Sequence, residues 1–296
     1  MRIIFISLLF LLVTIKLSAD GGLVAFYKLG GQEGTISSVK EMVNQALISD
    51  SFEIIGSYHP AKDSNLMVIT FTRKDLIEIT TRYDNRGLMA SVMRVGLIRR
   101  DNHVDISLLN PEYIFYAYLK DNAKKVEIEL NEISLDIKNA LLPIATDFEP
   151  FVITSLSERE LKEFKFLVRN PGFDDAIDVM DFPSFEIGLD VIQKNLQARK
   201  DGTFKVYELK LEDKKVALFG IGLQDPRNGE ANFLKQLGVN HLAALPYELI
   251  LIDKTASMLH GKFRFPLYWS DLTMSEYRKI YKTPRDIEET MKSITR

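Results

Sequence analysis

The side chains able to do chemistry are few and scattered. His59, His103, His241 and His260 are the four histidines, and the chain has no cysteine. That removes thiol nucleophiles, thiolate zinc sites, iron–sulfur clusters, c-type haem attachment and disulfides together. His59 precedes Pro60 at a strand end and His103 falls in a turn, positions that leave an imidazole in solvent. His241 and His260 flank an apolar strand, and with Glu230 or Glu248 they form the set from which a metal- or carboxylate-dependent, hydrolase-like site would be assembled. Their sequence spacing matches no ligand motif, so no resident metal or cofactor is expected. No nucleophile elbow, phosphate loop, paired-histidine helix or EF-hand loop is present. Phe219-Gly220-Ile221-Gly222 follows a predicted strand but lacks the third glycine of a dinucleotide fingerprint, and Asp225-Pro226 breaks any helix there. Glycines so placed fit a bulge or close backbone packing instead.

Glu248 is more informative. It interrupts Leu245-Pro246-Tyr247-Glu248-Leu249-Ile250-Leu251-Ile252, otherwise an apolar run of buried-strand type. A charge there is costly unless it is paired or hydrogen-bonded, and burial raises a carboxyl pKa. Arg94 holds the corresponding place in Val92-Met93-Arg94-Val95-Gly96-Leu97. Two readings follow. In one the opposite charges form a structural ion pair or sit on a wetted sheet face. In the other Arg94, Glu248 and His260 are polar anchors of a mostly apolar pocket, joined by Arg264 from the neighbouring strand and lined by Tyr247.

The elements that must position these residues repeat. In the first half, Val39, Met42, Val43, Ala46 and Leu47 keep helical spacing, with Thr35 or Ser37 as N-cap. Phe52–Tyr58 and Leu66–Phe71 read as strands, Asp75–Tyr83 as a short helix, Ala90–Arg99 and Val104–Leu108 as a hairpin, and Pro111 starts a helix. The second half gives a helix through Leu189, Val191, Ile192 and Leu196, then strands at Phe204–Lys210 and Val216–Leu223. A helix near Ala231–Leu237, the pair Ala244–Ile252 and Ser257–Phe265, and a last helix from about Thr273 complete it. Five elements in one order predict two similar modules of mixed or antiparallel sheet with helices on one face, the α+β class. The modules are placed at 22–121 and 164–296. Between them, residues 122–163 form a structured connector: alternation at Val126, Ile128 and Leu130, then helical spacing through Ile133, Ile137, Ala140 and Leu141. Its apolar face is expected at the seam between the modules.

Composition bounds the partners. The chain has 296 residues, enough for about two domains, with 46% hydrophobic and 27% charged residues, which is ordinary globular usage. A net charge of −3 gives no basic excess for nucleic acid. Met1-Arg2, the apolar run Ile3–Ile15 and Leu17-Ser18-Ala19 have the three parts of a secretory signal, so residues 1–19 are expected to direct export to the periplasm or beyond. Retention of that segment as an anchor is the alternative. No later stretch is long and apolar enough to span a bilayer, so no membrane contact is expected after cleavage.

Leu66-Met67-Val68-Ile69-Thr70, Met93-Arg94-Val95-Gly96 and Asn110-Pro111-Glu112-Tyr113 resemble the N-terminal half of bacterial proteins of domain-of-unknown-function family 302. Pro171-Gly172-Phe173-Asp174-Asp175, Leu245-Pro246-Tyr247-Glu248, Leu259-His260-Gly261-Lys262-Phe263-Arg264 and Thr283-Pro284 are similar to its C-terminal half. The resemblance runs from about Val39 to the end. It implies a small α+β domain, here doubled, with a tendency to form homodimers, and it implies no reaction, cofactor or catalytic residue. Together these readings point to a non-enzymatic protein that takes a small apolar or anionic ligand, or a partner, between its modules. The alternative is the hydrolase-like enzyme using His241, His260, Glu230 and Glu248.

Overall fold

The computed structural model describes residues 22–145, 147–151 and 154–296; the expected export signal, residues 1–19, lies outside them. The fold is α+β, built on two antiparallel sheets. The first half runs β1 (Phe26–Glu33), α1 (Ile36–Ser49), β2 (Glu53–Tyr58), β3 (Leu66–Thr72), α2 (Lys74–Thr80), β4 (Met93–Arg100), β5 (His103–Leu109) and α3 (Pro111–Leu119). A connecting stretch follows with α4 (Asp121–Lys125), α5 (Glu127–Leu141), β6 (Glu149–Pro150) and α6 (Glu158–Lys162). The second half runs β7 (Ile177–Asp181), α7 (Phe185–Gln197), β8 (Thr203–Leu211), β9 (Val216–Leu223), α8 (Glu230–Leu237), β10 (Tyr247–Ile252) and β11 (Thr255–Met258). Helices α9 (Gly261–Tyr268), α10 (Met274–Lys279) and α11 (Thr283–Ile294) close the chain.

One sheet has the order β2-β3-β4-β5-β1-β6 and the other β7-β11-β10-β9-β8. Read from β2 in one and from β8 in the other, five strands follow the same sequence of hairpins and crossings. In each half one amphipathic helix covers the outer sheet face. The Thr35 hydroxyl accepts the Ser38 N–H at 3.1 Å to start α1, which buries Ile36, Val39, Val43 and Leu47 over β2, β3 and β4. Ser184 starts α7 in the same way, and Phe185, Ile192 and Leu196 go down onto β8, β10 and β11. Four fully buried apolar side chains supply about 6–12 kcal/mol of transfer free energy, far more than a cap contributes. The inner faces cover each other. The 3-10 helix Leu242–Ala244 lies on β4, and the 3-10 helix Asn85–Ser91 lies on β10. Gly96 on β4 has no side chain because a Cβ would stand 3.1 Å from the Ala243 nitrogen. At Gly56, β2 passes so near β8 that a Cβ would overlap the Val206 carbonyl.

Four expectations need correction. The stretch Ser257–Phe265 is not one strand: β11 stops at Met258, and Arg264 rides on helix α9, whose first turn is capped by His260 Nδ1 accepting the Lys262 N–H at 3.0 Å. Residues 263–268 are buried on all sides, and an apolar run without periodicity reads equally as strand or helix. The alternation at Val126, Ile128 and Leu130 is not a strand either, since α5 already begins at Glu127 and Ile128 is 76% exposed. Helix α5 packs on α1, α2 and α3 of the first half rather than at the seam. Finally, each half opens with a strand, β1 or β7, that the helical reading of its start passed over. Among the described residues no helix is long and apolar enough to cross a membrane.

Candidate functional site

Sheet register brings the two interrupting charges to the seam. On β4, Arg94 stands opposite Thr70 of β3; on β10, Glu248 stands opposite Gly220 of β9, and Tyr207 of β8 stands on the other side of Gly220. Gly220 carries no side chain because the Tyr207 ring lies across it, and a Cβ there would overlap that ring. The ring thereby reaches the next strand, and the Tyr207 hydroxyl donates to Glu248 Oε1 at 2.8 Å. Phe204 covers Gly222 in the same manner. These contacts are the close packing that the paired glycines of the Phe219–Gly222 run require.

Arg94 Nη2 pairs with Glu248 Oε1, and Arg94 Nη1 donates to the Tyr268 hydroxyl at 2.9 Å. That hydroxyl is in turn 2.9 Å from the hydroxyl of Tyr118. Burial opposes the Arg94 charge most strongly, but the Glu248 carboxylate together with Tyr268, Tyr207 and Tyr118 outweighs it and holds the guanidinium pKa well above its ordinary value. Both side chains are 1% exposed. The same burial pushes the phenols of Tyr58, Tyr118 and Tyr207 well above the ordinary tyrosine range, so they act as neutral donors and acceptors. Beside the pair, Arg264 Nη2 donates to the carbonyls of Ala244 and Pro246 at 2.6 and 2.7 Å. Its guanidinium lies over the rings of Tyr247 and Tyr268, 4.2 and 4.8 Å from their centroids. The structure therefore joins Arg94, Glu248, Arg264 and Tyr247 in one buried cluster.

His260 stands apart. Its ring caps α9, and burial followed by the Lys262 charge lowers its pKa, with Glu288 and Asp175 as its acidic neighbours. His241 is 4% exposed and boxed by the rings of Phe26, Phe151 and Trp269, with Nε2 3.2 Å from Asp271 Oδ1. The imidazole holds the Asp271 carboxyl below its ordinary range. Glu230 is fully buried at the first turn of α8 and ties the halves together elsewhere. Its Oε1 accepts from the Tyr58 hydroxyl at 2.8 Å and the Leu223 N–H at 3.2 Å, and its Oε2 accepts from the Ala61 N–H at 2.9 Å. Burial raises its pKa to about 7 against the pull of those three donors and the more distant Arg264. Among the described residues no three His, Asp or Glu side chains group closely enough to hold a metal ion.

Sequence reasoning missed Tyr207, Tyr118 and Tyr58, although the alternate glycines Gly220 and Gly222 were a signal that rings cross the central strand. It also missed a pocket of about 210 Å³ where the seam opens. Tyr118 and Phe173 stack to form one wall, with centroids 4.8 Å apart at 25°. Lys120 lines the pocket with its backbone at φ 53°, ψ −125°, a conformation that costs a non-glycine residue about 1–3 kcal/mol. Its ammonium pairs with Asp174. No family model and no curated protein matches this sequence.

Proposed function

We propose that this is an exported, non-enzymatic binding protein made of two copies of one α+β module, and that it holds a small ligand where the seam opens. Support for the duplication is the shared strand order, with the reciprocal placement of the two 3-10 helices. The resemblance to domain-of-unknown-function family 302 agrees with that architecture and adds no activity. Support for binding over catalysis comes from the acids and bases themselves. Glu248 and Glu230 are engaged by fixed donors, His260 caps a helix and His241 sits among rings, so among the described residues these four acids and bases do not share one place with a nucleophile and an oxyanion donor.

The observation that carries the reading is the pocket at Tyr118. A stacked aromatic wall faces Lys120, a cation kept in a strained backbone, and Tyr268 couples that wall to the buried Arg94–Glu248 pair. Asp174 is 67% exposed, and an exposed ion pair is worth about 0–1 kcal/mol. Lys120 can therefore exchange Asp174 for the anionic group of a planar apolar ligand at little cost. Benzoate has that chemistry at the right size. Benzoate at 100 times its Kd is expected to raise the unfolding free energy by about 2.7 kcal/mol, seen as an upward shift in Tm. Lys120→Gly relieves the strained backbone, so the unliganded variant should melt higher than wild type while losing the benzoate shift. An unchanged Tm with benzoate in wild type, together with no small molecule retained by the purified protein in native mass spectrometry, would overturn the reading.

A further inference from the structure

The second half carries a separate and larger cleft, about 870 Å³, between the 3-10 helix Lys200–Gly202, the loop after β9 and the start of α11. That volume is in the range of small-molecule sites. Its lining is the reverse of the usual apolar pocket, because Tyr281 is its one aromatic or aliphatic member and every other lining side chain is polar or charged. Tyr281 is 66% exposed and lines the cleft, with the Lys282 ammonium over one face of its ring, 5.6 Å from the centroid. Arg227, Lys282 and Arg285 bring positive charge, and Asp201, Asp225, Asp286 and Glu289 bring negative charge. Among the described residues no salt bridge joins any two of these seven, so opposite charges line one concavity and stay apart. Arg227 is nevertheless held in place: the Asp225 carboxylate accepts the N–H groups of Arg227 and Asn228 at 2.9 and 2.8 Å, and the Asp225 carbonyl accepts that of Gly229 at 2.8 Å.

A ligand for such a cleft must meet three conditions. It must be hydrophilic, because apolar lining is nearly absent. It must be close to neutral, because three cations and four carboxylates leave no strong field of either sign. It must offer donors and acceptors in number together with one face that stacks on a ring. A hydroxyl group donates to a carboxylate and accepts from a guanidinium or ammonium, so neighbouring hydroxyls can bridge charges that do not reach each other. The C–H face of a pyranose supplies the stacking surface. We propose that this cleft is a saccharide-binding site that takes a neutral di- or trisaccharide, with Tyr281 as the stacking platform and Arg227, Arg285 and Asp286 as hydroxyl partners. The site is independent of the pocket at Tyr118 and stands or falls without it.

The test is isothermal titration of the full chain with a panel of neutral trisaccharides (maltotriose, cellotriose and N,N′,N″-triacetylchitotriose), with pyrophosphate and spermidine as charged comparators. At least one trisaccharide should bind with a Kd of about 1 mM or tighter. Tyr281→Ala removes an exposed ring, so Tm should hold while saccharide affinity drops about tenfold or more. Arg285→Ala should weaken the same saccharide, while Lys120→Gly should leave it unchanged. Binding of pyrophosphate or spermidine in preference to every saccharide would overturn the proposal. So would saccharide binding that survives Tyr281→Ala, or absence of any saccharide binding in the wild type.

Discussion

Glu230 offers the sharpest test of how the two halves are joined. Its carboxyl is fully buried and faces Tyr58 and Ala61 of the first half and Leu223 of the second, with no salt bridge to it among the described residues. Burial moves its pKa from 4.5 to about 7. The folded protein therefore binds this proton more tightly than the unfolded chain does. Stability from that proton is fully present below pH 4.5 and is lost as pH rises through 7. At 1.36 kcal/mol per pKa unit the change is about 3 kcal/mol. Glu230→Gln cannot titrate and keeps the size of the side chain, although one of its two terminal atoms now donates, as in the protonated acid. Urea denaturation of both proteins from pH 4.5 to 8 isolates the effect. The wild type should lead at the acid end, and its lead should shrink by about 3 kcal/mol as pH rises, with Arg264 pulling the midpoint lower the more strongly it acts. Tyr58→Phe removes one donor to the carboxylate and should move the midpoint upward. Parallel curves for wild type and Glu230→Gln would refute the reasoning, because they would mean the carboxyl is solvated or compensated and the seam is open there.

The Arg94–Glu248 pair should respond as a unit. Replacing either partner alone with methionine leaves the other charge buried without its partner and should cost about 3–5 kcal/mol in denaturant unfolding. The double replacement should cost less than the sum of the two, and additive losses would mean the charges are not coupled in the folded chain. Gly220→Ala drives a methyl group into the Tyr207 ring and should destabilise the protein by about 1–3 kcal/mol. Adding Tyr207→Ala to Gly220→Ala should recover part of the loss specific to the clash, which a thermodynamic cycle of thermal unfolding resolves.

Residues near in sequence made the local structure legible. Helical spacing around Val39 and Ile192, the apolar strands Leu66–Thr72 and Val216–Leu223, and the hairpin at Asp101-Asn102 all follow from side chains a few positions apart. The same local pattern marked Arg94 and Glu248 as corresponding positions, since a lone charge inside an apolar strand stands out against its neighbours. Tertiary structure alone decided that these two residues meet, because they lie 154 positions apart and their contact depends on which sheet faces turn inward. It also decided that Tyr207 reaches Glu248 across a glycine, that Tyr58 and Ala61 cradle Glu230, and that Arg264 rides on a helix. The physical reason is range. Propensity and periodicity act over a turn or a pleat, whereas a buried polar group takes its partner from whatever segment the packing of the cores brings within hydrogen-bond reach.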